Sequence, residues 1–407
     1  MKPKAVLAYC REKGIRSVDL RFVDVGGNWR HITYPISALT EASFEEGFGH
    51  SVLLDPMGTA APIHVVLVPH SDANYLDPFT HRPTLVLIAS VQDIVMRDEC
   101  QLDSRYLAMR ALRYLESSSV GDGLSVQTLY PFRMVRNGVA KSEVGNHANT
   151  LLACGPADVD FEMRCQIADT AAESGLQIDR HYSGLNSSSA MVLKPSNLVE
   201  CCDDIMMLSY LIGQIASRNQ CKVHLQDLWI SSQWSITRQA ESIFVGSSHR
   251  GLSDMGVHAV GGILKHSDAI AAIALSNRDS GGYPWHRICS EEIDHAICRV
   301  SVASHNPRTR TVEFVGSPAS CNPYLVFSAL LMAMIDGIQN KTSPGRALDP
   351  KFTPEEDVSK WKIAGEGTTG MDRKQLARRL DEDRDFLSRG EVFSDELIDL
   401  LCSRLNS

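Results

Sequence analysis

Between residues 17 and 34 the side chains alternate between apolar and polar. Ser17-Val-Asp-Leu-Arg-Phe-Val-Asp-Val25 and Trp29-Arg-His-Ile-Thr-Tyr34 flank Gly26-Gly27. A period of two sends successive side chains to opposite faces, so this stretch predicts two strands around a glycine turn. Residues 63–68 and 84–90 are two more apolar runs of strand length, with Asp77-Pro78-Phe79 as a turn between them. These predict a small mixed sheet ending near residue 98, preceded by a short first helix. From Asp103 the period lengthens. Leu107, Ala108, Ala111, Leu112 and Leu115 fall on one face of a helix that Asp103 caps and that runs to about Ser119. Strand patterns return near 125–136 and 175–193. Residues 203–218 are apolar nearly all round, which predicts a buried helix. Ser253 and Asn322-Pro323 carry the capping chemistry of two further helices. Leu397, Leu400, Leu401 and Leu405 form an apolar stripe in a charged, helical C-terminal segment, and residues 364–370 read as a surface loop.

Composition narrows the function classes. A chain of 407 residues is too long for one ordinary core and predicts two domains. The net charge of −9, with no long cluster of Lys and Arg, argues against a nucleic-acid or anionic-membrane partner. No stretch approaches the roughly 18 apolar residues of a membrane span. The first ten residues are basic, but their apolar run is broken by Arg11, Glu12 and Lys13, which predicts a helix rather than a signal peptide. Eleven scattered cysteines with no C-x-x-C pair point to free thiols in a reducing cytoplasm.

An ordered set of short motifs then adds up to a family. Val18-Asp-Leu-Arg-Phe-Val-Asp24, Leu76-Asp-Pro-Phe79 with Pro83-Thr-Leu85, and Asp103-Ser-Arg105 come first. Gly251-Leu-Ser253 and Gly261-Gly-Ile-Leu-Lys-His266 follow. Then come Val312-Glu-Phe314, Asn322-Pro-Tyr-Leu325, Asp336-Gly-Ile338 and the tail Asp381 to Asp395. In this order, and over nearly the whole chain, the set resembles type I glutamine synthetases. The resemblance implies an α+β chain: an N-terminal β-grasp domain over residues 1–100, and a catalytic-type domain of antiparallel sheet flanked by helices over residues 101–407. It also implies a homo-oligomer, a hexameric ring or stacked double ring, with sites between subunits.

That family's reaction moves a phosphoryl group from ATP to a glutamate carboxylate, which ammonia then displaces. Concentrated phosphate charge calls for two divalent cations held by carboxylates and a His, with guanidinium groups beside them. Most of those positions read differently here. The strand motif G-P-E-x-E-F-F aligns with Tyr130 to Arg136, placing Phe132 and Met134 where carboxylates are expected. In the next motif, H-H-E-x-x-x-x-G-Q-x-E, Tyr182 and Ala190 replace two more glutamates. The N-G-S-G-M-H-x-H loop aligns with Gln233 to Glu241 and keeps no His. D-G-S-S reads Gly49-His50-Ser51-Val52. The interval from Arg287 to Arg299 is shortened, so the flap glutamate is expected to be absent, and neither Glu291 nor Glu292 takes its place. The control loop is cut to Leu348 to Pro354 without a tyrosine. Asp294 reverses one phosphate-binding charge, and Val315 replaces a substrate-binding arginine.

Some polar positions persist. Glu313 matches the one retained metal-ligating glutamate, and Arg299, Arg308 and Arg310 match basic positions near phosphate. They form either a residual anion or nucleotide pocket or an ordinary ion pair around Glu313. His50, His64, His181 and Glu241 are either a new borderline-metal site or unrelated side chains, since their spacing fits no standard zinc motif. Ser187-Ser188-Ser189 lacks a recognisable base and reads as a polar strand segment. Phe132, Met134, Val135 and Met191 are either core filling or the wall of a new apolar site. The expectation is a non-catalytic relative that needs no cofactor and acts by assembly or binding, alone or with an active paralogue. The alternative is a repurposed carbon–nitrogen ligase, which would need ATP with Mg²⁺ or Mn²⁺.

Overall fold

The structure is a computed structural model that describes residues 2–55, 62–136, 150–276, 298–303, 305–306, 308–344 and 372–406; for Asn186, Arg299 and Val300 only the backbone is described. The expected loop at 364–370, the shortened control loop, Asp294 and the interval from Arg287 up to residue 297 lie outside these residues.

The N-terminal part builds a five-stranded sheet from β1 (Ser17–Val23), β2 (Trp29–Pro35), β3 (Phe48–Val52), β4 (Ile63–Leu76) and β5 (Thr84–Asp93), in the order β2-β1-β5-β4-β3. β1 and β5 run parallel, and every other pair is antiparallel. The predicted hairpin is β1–β2, in register from Ser17–Pro35 to Val23–Trp29. β4 runs further than its apolar sequence suggests and shifts register between Pro69 and Asn74. The helix Pro3–Glu12 lends Val6 and Cys10 to a core made by one face of this sheet, including Val18, Leu20, Leu67 and Leu87.

A second sheet carries the rest: β6 (Gly123–Arg136), β7 (Ile178–Ser183), β8 (Ser189–Leu193), β9 (Cys221–His224), β10 (Trp229–Arg238), β11 (Glu241–Ser242), β12 (Cys298–Val302) and β13 (Arg310–Pro318). Its path is β12-β13-β10-β6-β8-β7, with β11 on β10 and β9 on β6. The pattern predicted for 175–193 is thus two strands around a short turn. The helices Ser104–Ser117, Leu198–Arg218 and Pro323–Gln339 cover one face. Asp103 caps the first by accepting from the amides of Arg105 and Tyr106. Ser253 caps Asp254–Lys265, and Asn322 caps Pro323–Gln339. Trp234, Tyr130, Phe314 and Phe327 are buried between sheet and helices, with Trp234 edge-on to Phe327 at 5.3 Å between ring centres. Where Asp254–Lys265 crosses Pro323–Gln339 the backbones touch. A Cβ at Gly262 would lie 2.0 Å from the Ala333 carbonyl oxygen, and one at Gly337 would lie 2.3 Å from that of His258. No helix among the described residues is long and apolar enough to cross a membrane.

Two polar clusters tie elements together, one between the first sheet and a helix and one among helices. Arg21 on β1 donates to Asp19 (2.9 Å), to Asp77 (2.6 Å) and to the Tyr75 hydroxyl (2.5 Å). Its guanidinium carbon stands 4.3 Å from the ring centre of Tyr210, which belongs to Leu198–Arg218, and the Tyr210 hydroxyl donates to Asp77. Burial and the neighbouring Asp77 push the Tyr210 phenol up to about 12. Arg21, Asp19 and Asp77 are all buried, so each charge depends on the others. Farther along, Asp336 meets His266, Lys265 and Arg389, and His266 stacks on Phe386 and reaches Asp383.

Replacing Arg21 by Met leaves two buried carboxylates without their counter-charge and is expected to cost about 3–5 kcal/mol, read from urea unfolding; a loss below 1 kcal/mol would show that the cluster is not a structural tie. Burial alone would raise the Asp336 carboxyl, but hydrogen bonds from His266 and Lys265 outweigh it and hold the group below its ordinary value. A lowered folded-state pKa gives stability that is present above the unfolded value of about 3.9 and lost as pH falls through the folded value. The stability gap between wild type and Asp336→Asn should therefore be widest near neutrality and close on acidification below about pH 4. A gap constant from pH 7 to pH 3 would contradict this.

Candidate functional site

Strand alternation divides the second sheet into two chemically distinct faces. Along β6, Val126, Tyr130, Phe132 and Met134 belong to the helix-packed core, and the Tyr130 hydroxyl donates to the Ala319 carbonyl oxygen. Ser125, Gln127, Leu129 and Pro131 take the opposite parity, and Ser125 and Gln127 line a cavity on that opposite face. The expectation that Phe132 and Met134 stand at the cleft is therefore corrected. Both are buried side chains of the core, together with Met191. A continuous register carries this parity from β10 through β6 to β8.

Glu313 lies on the cleft face. It heads a row of aligned residues: Arg299 on β12 pairs with Glu313 on β13, Glu313 with Gln233 on β10, and Gln233 with Gln127 on β6. Glu313 is buried, and the Ser231 hydroxyl donates to its Oε1 at 2.5 Å. Gln233 donates through Nε2 to Ser301 at 3.2 Å. Gln127 donates through Nε2 to the Leu193 carbonyl oxygen at 3.2 Å and to Asp179 at 3.3 Å. The next row holds Val315, Ser231, Leu129 and Val192. Beyond it, Tyr182 pairs with Ala190, and Ala190 with Pro131.

The remaining candidates separate. Arg310 has the parity of Val312 and Phe314, away from Glu313, and its Nε donates to the Arg250 carbonyl oxygen at 3.2 Å. Arg308 is exposed in the β12–β13 turn, where its backbone amide bonds Asn306. The structure does not gather the three arginines around Glu313; only Arg299 aligns with it. His50 and His64 sit on β3 and β4 of the other sheet, where His64 Nδ1 and the Ser51 hydroxyl are 2.8 Å apart. His181 packs near Phe161 and Cys165 on the edge strand β7, and Glu241 lies in a hairpin. Among the described residues no three of His, Cys, Asp and Glu come together as a metal cluster. In the serine run, Ser188 donates to the Leu185 carbonyl oxygen and Ser189 accepts from Arg164.

Sequence reading missed Gln127, Gln233, Ser231 and Ser301 as site residues. The signal was present, because counting by twos from Glu313 and from Trp234 assigns each to a face. It needed the pairing register, which no single strand supplies. The donor set here does not fit a pair of Mg²⁺ ions, which take several hard, preferably anionic, oxygens. Among the described side chains this row brings Glu313 and two amides, with Asp179 bonded to Gln127 as the next carboxylate, where two ions and a triphosphate need several charged donors.

The comparisons give this arrangement its context. A cryo-EM structure of Plasmodium falciparum glutamine synthetase superposes with a TM-score of 0.82, covering 100% of this chain and 95% of that one at 13% identity, which is a likeness of fold. Glutamine synthetase of Aquifex aeolicus is 28% identical, across 98% of this chain and 93% of its own length, and that of Methylococcus capsulatus is 28% identical across 98% and 94%. The family model "Glutamine synthetase, catalytic domain" matches residues 102–403 of the 407. With that match over most of its length, this chain belongs to the glutamine synthetase family.

Proposed function

We propose that this chain keeps the glutamine synthetase fold without the two-metal chemistry, and that it works by assembly or binding. The observation that carries the reading is the aligned row Glu313–Gln233–Gln127. If the family's E-x-E pair belongs on the cleft face beside Glu313, it falls on Gln127 and Leu129, with Tyr130 turned into the core. An amide and an isobutyl group then stand where two carboxylates would hold cations. Val192, aligned with Leu129, extends the same loss to β8. An amide oxygen is a neutral donor, and an aliphatic carbon is none, so Mg²⁺ would forfeit most of its charge compensation. Losing one donor to a developing charge already costs on the order of 10²–10³ in rate, and here several are changed together. The acting form in this reading is a homo-oligomer, a hexameric ring or double ring, alone or mixed with an active paralogue. It works in the cytoplasm, where its thiols stay reduced.

A thermal-shift titration with ATP, with and without Mg²⁺ or Mn²⁺, tests the reading directly. A ligand held only by the folded state at 100 times its Kd adds about 2.7 kcal/mol. The expected result is no metal-dependent rise in Tm at millimolar nucleotide. A rise would instead favour a repurposed ATP-dependent carbon–nitrogen ligase. A second test runs in the opposite direction. Gln127→Glu with Gln233→His places a carboxylate and an imidazole in line with Glu313, a usable set for Mn²⁺. The double variant should gain a Mn²⁺-dependent rise in Tm that wild type lacks. Equal behaviour of the two proteins would mean that the row is not the old ligand row.

A further inference from the structure

We infer that the cleft of this chain binds a small uncharged polar molecule, a polyol or a carboxamide, in a cavity between β6, β10 and β13. This rests on the reading that the charged chemistry of the same cleft is gone, and it names what replaces it. The cavity measures about 190 Å³ and is lined by Ser125, Gln127, Gln233, Ser235, Ser242 and Thr311, among others. Among the described lining residues there is no Asp, Glu, Lys or Arg, and the one titratable side chain is His305.

That lining selects by charge. A phosphate or carboxylate entering it would lose hydration without gaining a counter-charge, and burial of an uncompensated ion is far costlier than burial of a neutral group. A hydrocarbon would cover hydroxyls and amides without pairing them, which is also unfavourable. A neutral molecule bearing several donors and acceptors satisfies both limits. Two lining groups have unused bonding capacity. Among the described residues, the buried Thr311 hydroxyl has no hydrogen-bond partner, and neither has the buried Oε1 of Gln233. Buried polar atoms of this kind are uncommon in native proteins and call for a partner. A ligand donor to Gln233 Oε1 and an acceptor or donor for Thr311 Oγ1 would supply it, after a small rotation of each side chain. The hydroxyls of Ser235 and Ser242 bond each other at 2.9 Å and hold that part of the wall in shape. The volume lies below the roughly 300–1,000 Å³ of pockets for drug-sized ligands, which limits the occupant to about monosaccharide size.

The experiment is isothermal titration of the full chain with D-glucose, myo-inositol and glutaramide, each against a charged counterpart: glucose 6-phosphate for the polyols and glutamate for the diamide. At least one neutral probe should bind, and its charged counterpart should bind at least tenfold more weakly. Thr311→Val and Gln233→Met should each weaken the neutral probe about five- to tenfold, with unchanged circular dichroism showing that the variant is folded. Thr311→Val removes the hydroxyl at constant shape. If it fails to fold, Gln233→Met carries the test alone. Absence of binding by all three neutral probes, equal binding of the charged forms, or indifference to both substitutions overturns the inference. The Mg²⁺-ATP titration separates the two readings. Neutral binding together with nucleotide binding would refute the loss of metal chemistry and keep the neutral site. Neither form of binding would refute the neutral site and leave that loss standing.

Discussion

Alternation along the strands of the second sheet is the constraint on which the rest of the molecule depends. Each strand must give one face to the helices and the other to the cleft, and the register that aligns one strand with the next fixes both sets together. The core side reads Val126, Tyr130, Phe132 and Met134 on β6, with Trp234 on β10 and Phe314 on β13. The cleft side reads Gln127, Gln233 and Glu313 across the same three strands. Packing cannot be altered on one face without regard to the other, yet the chemistry of the cleft face is free of the core's volume requirement. That freedom lets the chain keep Trp234 against Phe327 while the cleft face presents amides and hydroxyls beside Glu313.

Much of the fold was legible in the sequence because its signals are local. A cap such as Asp103, Ser253 or Asn322 acts within one turn, and each bonds the amides its position predicts. The β1–β2 hairpin follows from alternation around two glycines. The cleft was less legible because it is assembled from strands that pair far apart in the chain. An alignment of Tyr130 to Arg136 with a carboxylate-bearing motif set Phe132 and Met134 at its carboxylate positions, but the pairing of Leu129 with Val192 and Gln127 with Gln233 puts both on the core side of the sheet. By the same alternation Arg310 takes the parity of Val312 and Phe314, opposite to that of Glu313. The 175–193 pattern held a turn that Gly184 and Asn186 mark, between β7 and β8.

The motifs that carry the family resemblance turn out to be mostly structural ties. Asp19 and Arg21 in the first motif and Asp77 in the second meet each other and Tyr210, fastening the five-stranded sheet to the longest described helix. Asn322 caps its helix through Oδ1, and through Nδ2 it reaches the carbonyl oxygens of Asp24 and Val25 and the hydroxyl of Ser104. Asp336 collects His266, Lys265 and Arg389. These are buried polar groups whose removal strands a partner, so they resist change for reasons of stability alone. Resemblance at such positions speaks for ancestry and architecture, and is silent about turnover.

The contact of Gly262 with Gly337 gives the two kinds of position their different futures. With backbone against backbone, the seam has no spare space: any side chain on either glycine must force the helices Asp254–Lys265 and Pro323–Gln339 apart, and no compensating change on the opposite helix can remove atoms that are already backbone. The route through sequence space is closed there in both directions. Across the cleft, a glutamate can become a glutamine one position at a time without displacing a neighbour. Along any line of descent the cleft face can therefore change far more freely than the seam, which endures as the fixed hinge-pin of the shape.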